Sequence, residues 1–328
     1  MKNKLSLRYY LTIIKSKTKM KPNVYVIGSS NTDMVIKSKS LPKPGETVIG
    51  GDFFVFQGGK GANQAVAAAK LGGDVFFISK VGDDSFGKKS IEEFKKHQIN
   101  TKYIKEAQGI HTGVALIMVD EKGENSIAVA SGANADLKKE DVTFLKKQLK
   151  KEDIVLIQLE IPLEVVNYII ELCHKVNSRV VLNPAPFQKM NDEFLNLVDT
   201  ITPNMIETHS LTGVEVTDID SARKAAQRLL EKGIKNVLIT MGAQGVFYMS
   251  KNAEGHVAAK KVEVADSTAA GDTFNGAFAT GLSHGMDVIT CIEFANAAAA
   301  ISVTRMGAQD SVPSINELDK KFLKYVYR

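Results

Sequence analysis

The sequence has few cysteines and no long apolar run, and each absence excludes a class of protein. Its two cysteines, Cys173 and Cys291, are too few for a disulfide framework. Both have apolar neighbours, so we expect buried core residues rather than nucleophiles, and a reducing, cytoplasmic location fits them. No apolar run reaches the roughly 18 residues of a transmembrane helix, so a membrane is not an expected partner.

Positive charge is also scarce outside one end of the chain. Residues 1–21 hold seven of the 42 lysines and arginines and no acid, and the other 35 basic residues face 37 acidic ones. The body therefore has no excess positive charge, and nucleic acid is not an expected partner. We interpret residues 1–21 as a disordered basic extension, either a transit peptide or translation from an upstream start codon, since Met20 precedes the first predicted strand.

Short apolar runs alternate with amphipathic segments over most of the chain. They predict strands separated by helices, at 24–27, 153–159, 179–182, 200–202 and 236–240 for strands and at 163–175 and 221–231 for helices. This order is typical of an α/β fold, in which helices flank both faces of a doubly wound, mostly parallel sheet. Ligands of such sheets bind at the carboxyl ends of the strands.

A small second sheet is predicted beside the main one. Residues 41–57 contain two short apolar runs, at 47–49 and 53–56, which indicate short strands. Residues 112–119 and 126–130 flank a turn at 120–123, which is the pattern of a hairpin. We expect lid strands from about 41–57 and 111–130 to cover the site. Such a sheet exposes apolar faces, which could also pair two subunits into a homodimer.

Polar residues follow several predicted strands. Asn31 and Asp33 flank Thr32 in what we interpret as a loop after the first strand, where both could hydrogen-bond a polyol; an Asx turn is the alternative. The residues that follow later strands are Glu160, Asn204, Glu207, Thr240 and Gly242. Because parallel strands end at one edge of a sheet, we interpret these residues as one site, although a loop or capping role stays open for each alone.

Two glycine-containing loops lie near predicted helix starts. Residues 58–64, GGKGANQ, open an alanine-rich helix that runs through Lys70. The glycines permit close approach of a ligand, and Lys60 supplies a positive charge. Gly61 replaces the Ser or Thr of a Walker A loop, and residues 82–88 fail that pattern too. The turn GSSNTD at 28–33 lacks Gly-x-Gly-x-x-Gly, which excludes a nicotinamide dehydrogenase.

The stretch 266–274, DSTAAGDTF, carries the strongest chemical signal. Apolar residues that follow at helical spacing predict a helix beginning near Ala270. Its small first residues leave backbone N–H groups open to an anion, and Asp272 lies in that first turn. A carboxylate beside an anion site could deprotonate a hydroxyl that attacks a phosphate. A helix whose first turn carries an acid to suit the dipole is an equal alternative.

A second predicted helix, at 287–304, carries Asn296 among alanines, which would leave room for a flat ligand such as adenine. The loop 305–311 follows, with backbone carbonyls free of regular pairing. Clustered carbonyls suit monovalent cations, but the loop's sequence alone does not predict such a site.

Taken together, these motifs resemble the ribokinase group of the PfkB carbohydrate kinase family from about Val24 to the end. In order they are the loop with Asn31 and Asp33, the stretch 58–64, Gln158-Leu159-Glu160, Asn183-Pro184-Ala185-Pro186, Thr202-Pro203-Asn204 and the stretch 266–274. The resemblance implies a ribokinase-like kinase domain over 22–328. It also implies ATP-dependent phosphorylation of D-ribose at the 5-hydroxyl.

The resemblance further implies roles for individual residues. Asp272 would be the base, and the N–H groups of residues 269–272 would form an anion hole. The sugar would be held by Asn31, Asp33, Gly59, Lys60, Gly61, Asn63, Glu160 and Asp272. The nucleotide site would comprise Asn204, Thr240, Gly242, Ala243, Gly245, Gly271 and Asn296, with Glu207 helping to place Mg²⁺. A K⁺ site would fall on Asp266, Thr268, Ser302, Arg305, Gly307 and Ser311, largely through carbonyls.

Two other functions stay open at this point. One is a kinase for another small sugar or a nucleoside, such as 2-deoxyribose or adenosine. The residues around Asn31, Asp33 and Glu160 are polar rather than aromatic, which favours a bare sugar over a nucleoside. The other is a non-catalytic sugar- or nucleotide-binding regulator, which the intact Asp272, Lys60 and small anion loop disfavour.

Overall fold

A computed structural model describes residues 21–327. The predicted basic extension therefore lies outside the described residues, apart from Lys21, whose Nζ donates to the carbonyl of Val326 at 2.7 Å. Cys173 and Cys291 are buried and free, as predicted. Burial raises the pKa of the Cys173 thiol to about 12, so it is unreactive at neutral pH.

The described strands form two sheets. In chain order they are β1 Val24–Ile27, β2 Asn31–Lys37, β3 Asp52–Gly58, β4 Val75–Gly82, β5 Ile104–Ala107, β6 Gly113–Val119, β7 Asn125–Ala130, β8 Ile154–Ile157, β9 Arg179–Leu182, β10 Thr200–Ile201, β11 Asn236–Thr240, β12 Val246–Ser250 and β13 Glu254–Val257. The nine-stranded sheet has the order β13-β12-β11-β10-β9-β8-β1-β4-β5. Its strands from β11 to β5 are parallel, and β12 and β13 are antiparallel. The predicted mostly parallel sheet is confirmed.

Helices connect the parallel strands. They are α1 Lys60–Lys70, α2 Ser85–Lys96, α3 Lys139–Val142, α4 Leu145–Gln148, α5 Leu163–Val176, α6 Asp192–Leu195, α7 Met205–Thr212, α8 Ile219–Glu231, α9 Ala270–Ser283, α10 Val288–Ser302 and α11 Lys320–Val326, with short 3₁₀ turns at Gly132–Asp136, Gly242–Gln244 and Ile315–Glu317. None of the helices in the described part of the chain combines the length and apolar character needed to cross a membrane.

Both faces of the central strands of the main sheet are covered, which explains why β1 and β8 are apolar throughout, whereas β5 and β13 at the two edges keep exposed polar residues. In β1, Val24 and Val26 join a cluster with the residues of α1, α9 and α10, whereas Tyr25 and Ile27 join a second cluster with α5 and α8. Successive side chains of a strand point to opposite faces, so a strand buried on both has no polar position. The cores hold the carboxyl ends of the strands at a common edge.

The small four-stranded sheet has the order β3-β2-β6-β7, and it corrects two expectations. Residues 31–33 begin β2 rather than a loop, because their backbone pairs with Gly58 of β3 and Gly113 of β6. Residues 47–49 form no strand: Ile49 is 94% exposed, and Gly50 has φ 107°. β-branched residues favour a strand only where a partner strand is available. The hairpin of β6 and β7 is confirmed.

The start of α1 packs directly against the end of β1. The Ala62 N–H donates to the Ser29 carbonyl at 2.8 Å. A Cβ atom on Gly61 would lie 2.5 Å from the carbonyl carbon of Gly28 and the nitrogen of Ser29. Both are backbone atoms that cannot rotate away, so only glycine permits this approach.

We therefore expect Gly61→Ala to lower the free energy of unfolding by about 1–3 kcal/mol, the usual cost of overpacking. Urea denaturation followed by circular dichroism measures it. Gly255→Ala is the matched control, because nothing lies within 4 Å of its added Cβ. A Gly61→Ala protein as stable as the unmodified chain would show that α1 can shift without cost.

Candidate active site

The candidate site lies where β1, β8, β9, β10 and β11 end and where α1 and α9 begin. At its centre Asp272, in the first turn of α9, is 7% exposed. Its Oδ1 accepts a hydrogen bond from Gln64 at 2.9 Å, and its Oδ2 accepts one from Asn63 at 3.1 Å. Burial raises the pKa of Asp272, while Lys60 and these two amides oppose the rise. A buried carboxylate with a raised pKa is a better proton acceptor than an exposed one.

Of the two amides that hold Asp272, Gln64 is itself held at both ends. Gln64 Nε2 also donates to Asn183 Oδ1 at 2.9 Å, and Gln64 Oε1 accepts from Gln158. Asn183 follows β9 and Gln158 follows β8, so the chain of amides crosses the strand ends beneath the carboxylate. Buried amides paired at both ends have one orientation. The N–H group that Gln64 presents to Asp272 is therefore fixed in direction.

Lys60, the first residue of α1, is the cation of the site. The negative charge of Asp272 raises the pKa of Lys60 most strongly; burial opposes this, and Glu160, Glu207 and Asp33 add to it. One lysine thus faces four carboxylates that come from four elements. The excess of acid leaves the site short of positive charge, which favours a bound cation.

Asp33 and Asn31 enter from β2, on the small sheet. Burial raises the pKa of Asp33 to about 6, with Glu160 and Asp272 adding to the rise and Lys60 opposing it. Asn31 Oδ1 accepts from Asn134 Nδ2 at 2.7 Å, which leaves the Asn31 amide nitrogen available. The Asn134 side chain is anchored in turn on the Ser30 backbone.

Glu160, after β8, closes the other side. Its Oε2 accepts from Ser29 Oγ at 2.5 Å and from the Lys60 N–H at 3.0 Å. Gly59, with φ 87°, brings the start of α1 close to Asn31, because a Cβ there would lie 2.8 Å from the Asn31 nitrogen. The structure thus brings together every residue expected to hold a sugar.

The amino end of α9 is open. Ala269 precedes it with φ 56° and has no side chain that could cap the helix. The first intrahelical bond joins Thr273 N–H to the Ala269 carbonyl at 2.8 Å, so the N–H groups of Gly271 and Asp272 have no intrahelical acceptor. The Ala270 N–H, by contrast, donates to Ser267 at 3.3 Å. Gly271 is exposed, and nothing lies within 4 Å of where its Cβ would be.

The residues expected to hold a nucleotide lie on the far side of Asp272. Asn204 forms a bridge with Thr240 and caps α7 in a capping box, accepting from the Glu207 N–H at 2.8 Å. A Cβ on Gly245 would lie 2.1 Å from the Val257 carbonyl, and Asn296 donates to that same carbonyl at 3.3 Å. Gly242 and Ala243 are exposed in the turn after β11. The structure therefore brings Asn204 next to Thr240, and Gly245 next to Asn296 through Val257.

The residues expected to bind K⁺ join two segments beside α9. Asp266 accepts from the N–H groups of Thr268 and Gly307, both at 2.9 Å. Burial would raise the pKa of Asp266, but these hydrogen bonds lower it. The Ser302 carbonyl accepts from the Arg305 N–H, and Ser311 donates to Ala308. Residues 21–327 contain no group of three or more His, Cys, Asp and Glu side chains arranged as a metal site.

Four residues that orient the site were not predicted from the sequence: Gln64, Asn134, Asn183 (through its side chain) and Gln309. Gln64 and Asn183 lie within motifs described above, but nothing in the sequence around them indicates that their side chains are in contact. Asn134 and Gln309 lie 103 and 246 residues from the asparagines that they contact. Contacts this distant have no local pattern.

Comparison with known proteins identifies the class to which this arrangement belongs. Residues 21–315 match the model of the pfkB family of carbohydrate kinases. The chain belongs to that family and is an enzyme, a carbohydrate kinase.

The individual proteins that are similar to this chain include ribokinases and a deoxyribokinase. The chain is 47% identical to a ribokinase of Haemophilus influenzae over 91% of this chain and 97% of that protein. It is 39% identical to a deoxyribokinase of Salmonella typhi over 91% and 98%. Among solved structures, Thermotoga maritima ribokinase has a TM-score of 0.83 and 42% identity, covering 92% and 99% of the two chains. Arabidopsis thaliana ribokinase, solved with ribose and ATP, has a TM-score of 0.84 and 30% identity, covering 94% and 100%.

The raised pKa of Asp33 predicts a pH dependence of sugar binding. We propose that Asp33 binds the sugar: above about pH 6 its carboxylate is ionised and would accept hydrogen bonds from sugar hydroxyls, whereas below that pH the neutral acid would lose the charge-assisted bonds. We expect the sugar KM to rise as pH falls from 7 to 5, in steady-state assays at saturating nucleotide. Asp33→Asn should raise KM at pH 7, differ little from the unmodified enzyme near pH 5, and remove the dependence. A dependence that survives in Asp33→Asn would assign it to another group.

Proposed function

We propose that this carbohydrate kinase transfers the γ-phosphoryl group of ATP to the 5-hydroxyl of D-ribose. The similar ribokinases support this, one of them solved with ribose and ATP. The observation that carries the chemistry is the position of Asp272. Its carboxylate lies at the helix start whose Gly271 and Asp272 N–H groups have no intrahelical acceptor, so a base and an anion site share one turn.

In this proposal the sugar lies between the small sheet and the main sheet. Asn31 and Asp33 hold it from β2, and Gly59, Lys60, Gly61, Asn63 and Glu160 hold it from the start of α1 and the end of β8. The 5-hydroxyl then faces Asp272, which accepts its proton late in the transfer. Phosphoryl transfer needs in-line positioning and charge stabilisation more than covalent help.

The phosphates lie at the start of α9, where Gly271 leaves open space. Lys60 and the N–H groups of Gly271 and Asp272 stabilise the charge that develops on the transferred group. The nucleotide extends over Asn204, Thr240, Gly242, Ala243, Gly245 and Asn296. Polar groups and an open turn, rather than a Walker A loop, define this surface.

We infer two metal ions from the charge balance and the loops. Glu207 would help to place Mg²⁺, which would neutralise phosphate charge when bound; the acidic residues around Lys60 leave the site with an excess of negative charge that accommodates such a cation. K⁺ would lie at the junction of Asp266 and Thr268 with Ser302, Arg305, Gly307 and Ser311, which is where the family resemblance puts it. Asp266 is already tied to Thr268 and Gly307 there, so an ion would stiffen the start of α9.

We also propose that residues 22–328 form the kinase domain, that the small sheet is its lid, and that two lids pair in a homodimer. Both faces of this sheet carry exposed apolar side chains: Phe54, Ile127 and Val129 share the face of Asp33, and Phe53 and Leu116 lie on the other. A sheet that is apolar on both faces needs a cover on each, and the site closes only one. The buried free cysteines fit a cytoplasmic location.

A kinase for 2-deoxyribose is the second candidate, because the 39% identity to a deoxyribokinase is close to that of several ribokinases. The two sugars differ only in the 2-hydroxyl. A site that hydrogen-bonds this hydroxyl rejects the deoxy sugar, since a buried polar group is then left unpaired.

We expect ADP release from ATP to be fastest with D-ribose in a coupled assay against pentoses, hexoses and nucleosides. The kcat/KM for 2-deoxyribose should be lower by about tenfold or more, for one lost charge-assisted hydrogen bond.

Rates should be higher in potassium than in sodium at matched ionic strength. A preference for 2-deoxyribose would transfer the assignment to the second candidate, and equal rates in both cations would contradict the K⁺ site.

We expect Asp272→Asn to lower kcat by about 10²–10⁴, the usual contribution of a general base, with little change in either KM. Single-turnover and steady-state kinetics measure it. Asp74→Asn is the matched control, because Asp74 is exposed at the amino end of β4, opposite the site. Near-normal turnover of Asp272→Asn would reject Asp272 as the base.

A further inference from the structure

Gln309 is a buried amide in the loop after α10, and the proposed reaction does not use it. It is 6% exposed. Its Nε2 donates to Asn63 Oδ1 at 3.2 Å, across 246 residues of sequence. Asn63 in turn donates from Nδ2 to Asp272 Oδ2 at 3.1 Å. Gln309 is thus one hydrogen-bonded residue away from the carboxylate.

The direction of these bonds matters. The Asn63 amide has a donor end and an acceptor end, and only its donor end can hold an ionised carboxylate. Gln309 presents an N–H group to the acceptor end, so the other end must face Asp272. Without that N–H group, the Asn63 amide could turn and point its oxygen at the carboxylate.

The two oxygens of Asp272 are supported differently. Gln64, on Oδ1, has its orientation set by Asn183 and Gln158, which belong to the main sheet. Asn63, on Oδ2, has its oxygen bonded to Gln309, which belongs to the loop 305–311. Oδ1 is therefore linked by hydrogen bonds to residues that follow strands of the main sheet, whereas Oδ2 is linked to the loop 305–311.

The backbone of Gln309 is anchored as well. Its carbonyl accepts from Lys70 Nζ at 3.3 Å. Two residues earlier, the Gly307 N–H donates to Asp266 at 2.9 Å, and two residues later Ser311 donates to Ala308 at 2.8 Å. The position of the Gln309 side chain therefore depends on how this loop is held.

We propose that Gln309 is a positioning residue that acts through Asn63 to keep the Asp272 carboxylate ionised and oriented. This rests on the proposed role of Asp272 as the base. In this arrangement the loop 305–311 influences the reaction through an amide relay, in addition to its contact with Asp266 before α9.

The test is the pH dependence of kcat in Gln309→Met, which keeps the length of the side chain but removes the donor. We expect kcat at neutral pH to fall about tenfold, and the acidic limb of the profile to move to higher pH. The sign follows because losing a donor to a carboxylate raises its pKa, so more alkali is needed to ionise it. The KM for ATP should not change.

Two further variants separate positioning from packing. In Asn63→Ala, adding Gln309→Met should cost nothing more, because the relay is already broken; independent, multiplying losses would overturn the proposal. Lys70→Met removes the hydrogen bond from Lys70 Nζ to the Gln309 carbonyl and should leave the acidic limb unmoved. If Gln309→Met loses activity without a shift of the limb, its role is structural and the proposal fails.

Gln309→Glu supplies the test if the Met variant does not fold. A carboxylate there accepts from Asn63, which turns the amide oxygen towards Asp272, so kcat at neutral pH should fall by more than about tenfold relative to the unmodified enzyme, and the acidic limb should move to higher pH. Turnover equal to that of the unmodified enzyme would contradict the relay. The outcome stays separate from the base assignment, because near-normal turnover of Asp272→Asn rejects the base, whereas a normal acidic limb in both Gln309 variants rejects only the relay.

Discussion

The burial of one carboxylate is the constraint on which the rest of this site depends. Asp272 is almost removed from water, and a buried charge is stable only with donors and an opposite charge nearby. Gln64, Asn63 and Lys60 supply these from a single helix, α1. That helix can reach Asp272 because Gly61 lets it lie against the end of β1. The close packing of the α1 backbone against β1 is therefore required for α1 to stabilise the buried charge of Asp272.

Much of the fold could be predicted from the sequence, because strands buried on both faces leave a clear pattern. The bounds expected at 24–27, 179–182 and 236–240 match β1, β9 and β11. Residues 31–33 were misplaced because their polar side chains resemble a loop, while their strand character comes from pairing with Gly58 and Gly113. The prediction for residues 47–49 was wrong for the opposite reason: their side chains are typical of a strand, but no partner strand lies beside them.

The same distinction between local sequence patterns and contacts across the fold applies to the candidate site. Residues that act through a helix start or a strand end, such as Lys60 and Asp272, lie in local motifs and were predicted from the sequence. Residues that orient them, such as Asn134 and Gln309, work across the fold and have no local motif. A single buried amide is common in any core, and only its bonding direction reveals what it does. Direction is a property of the packed structure.

The placement of Asn31 and Asp33 on β2 has a consequence for the order of events. These residues belong to the small sheet, whereas Asp272 begins α9 and Glu160 follows β8 of the main sheet. Under the proposed function a sugar held by both groups would link the small sheet to the rest of the domain, so its arrival would fix the small sheet before any phosphate is transferred. An empty site lacks this link, so under the proposed function only a bound sugar ties the lid to Asp272. The enzyme would thereby spare its nucleotide when no sugar is present.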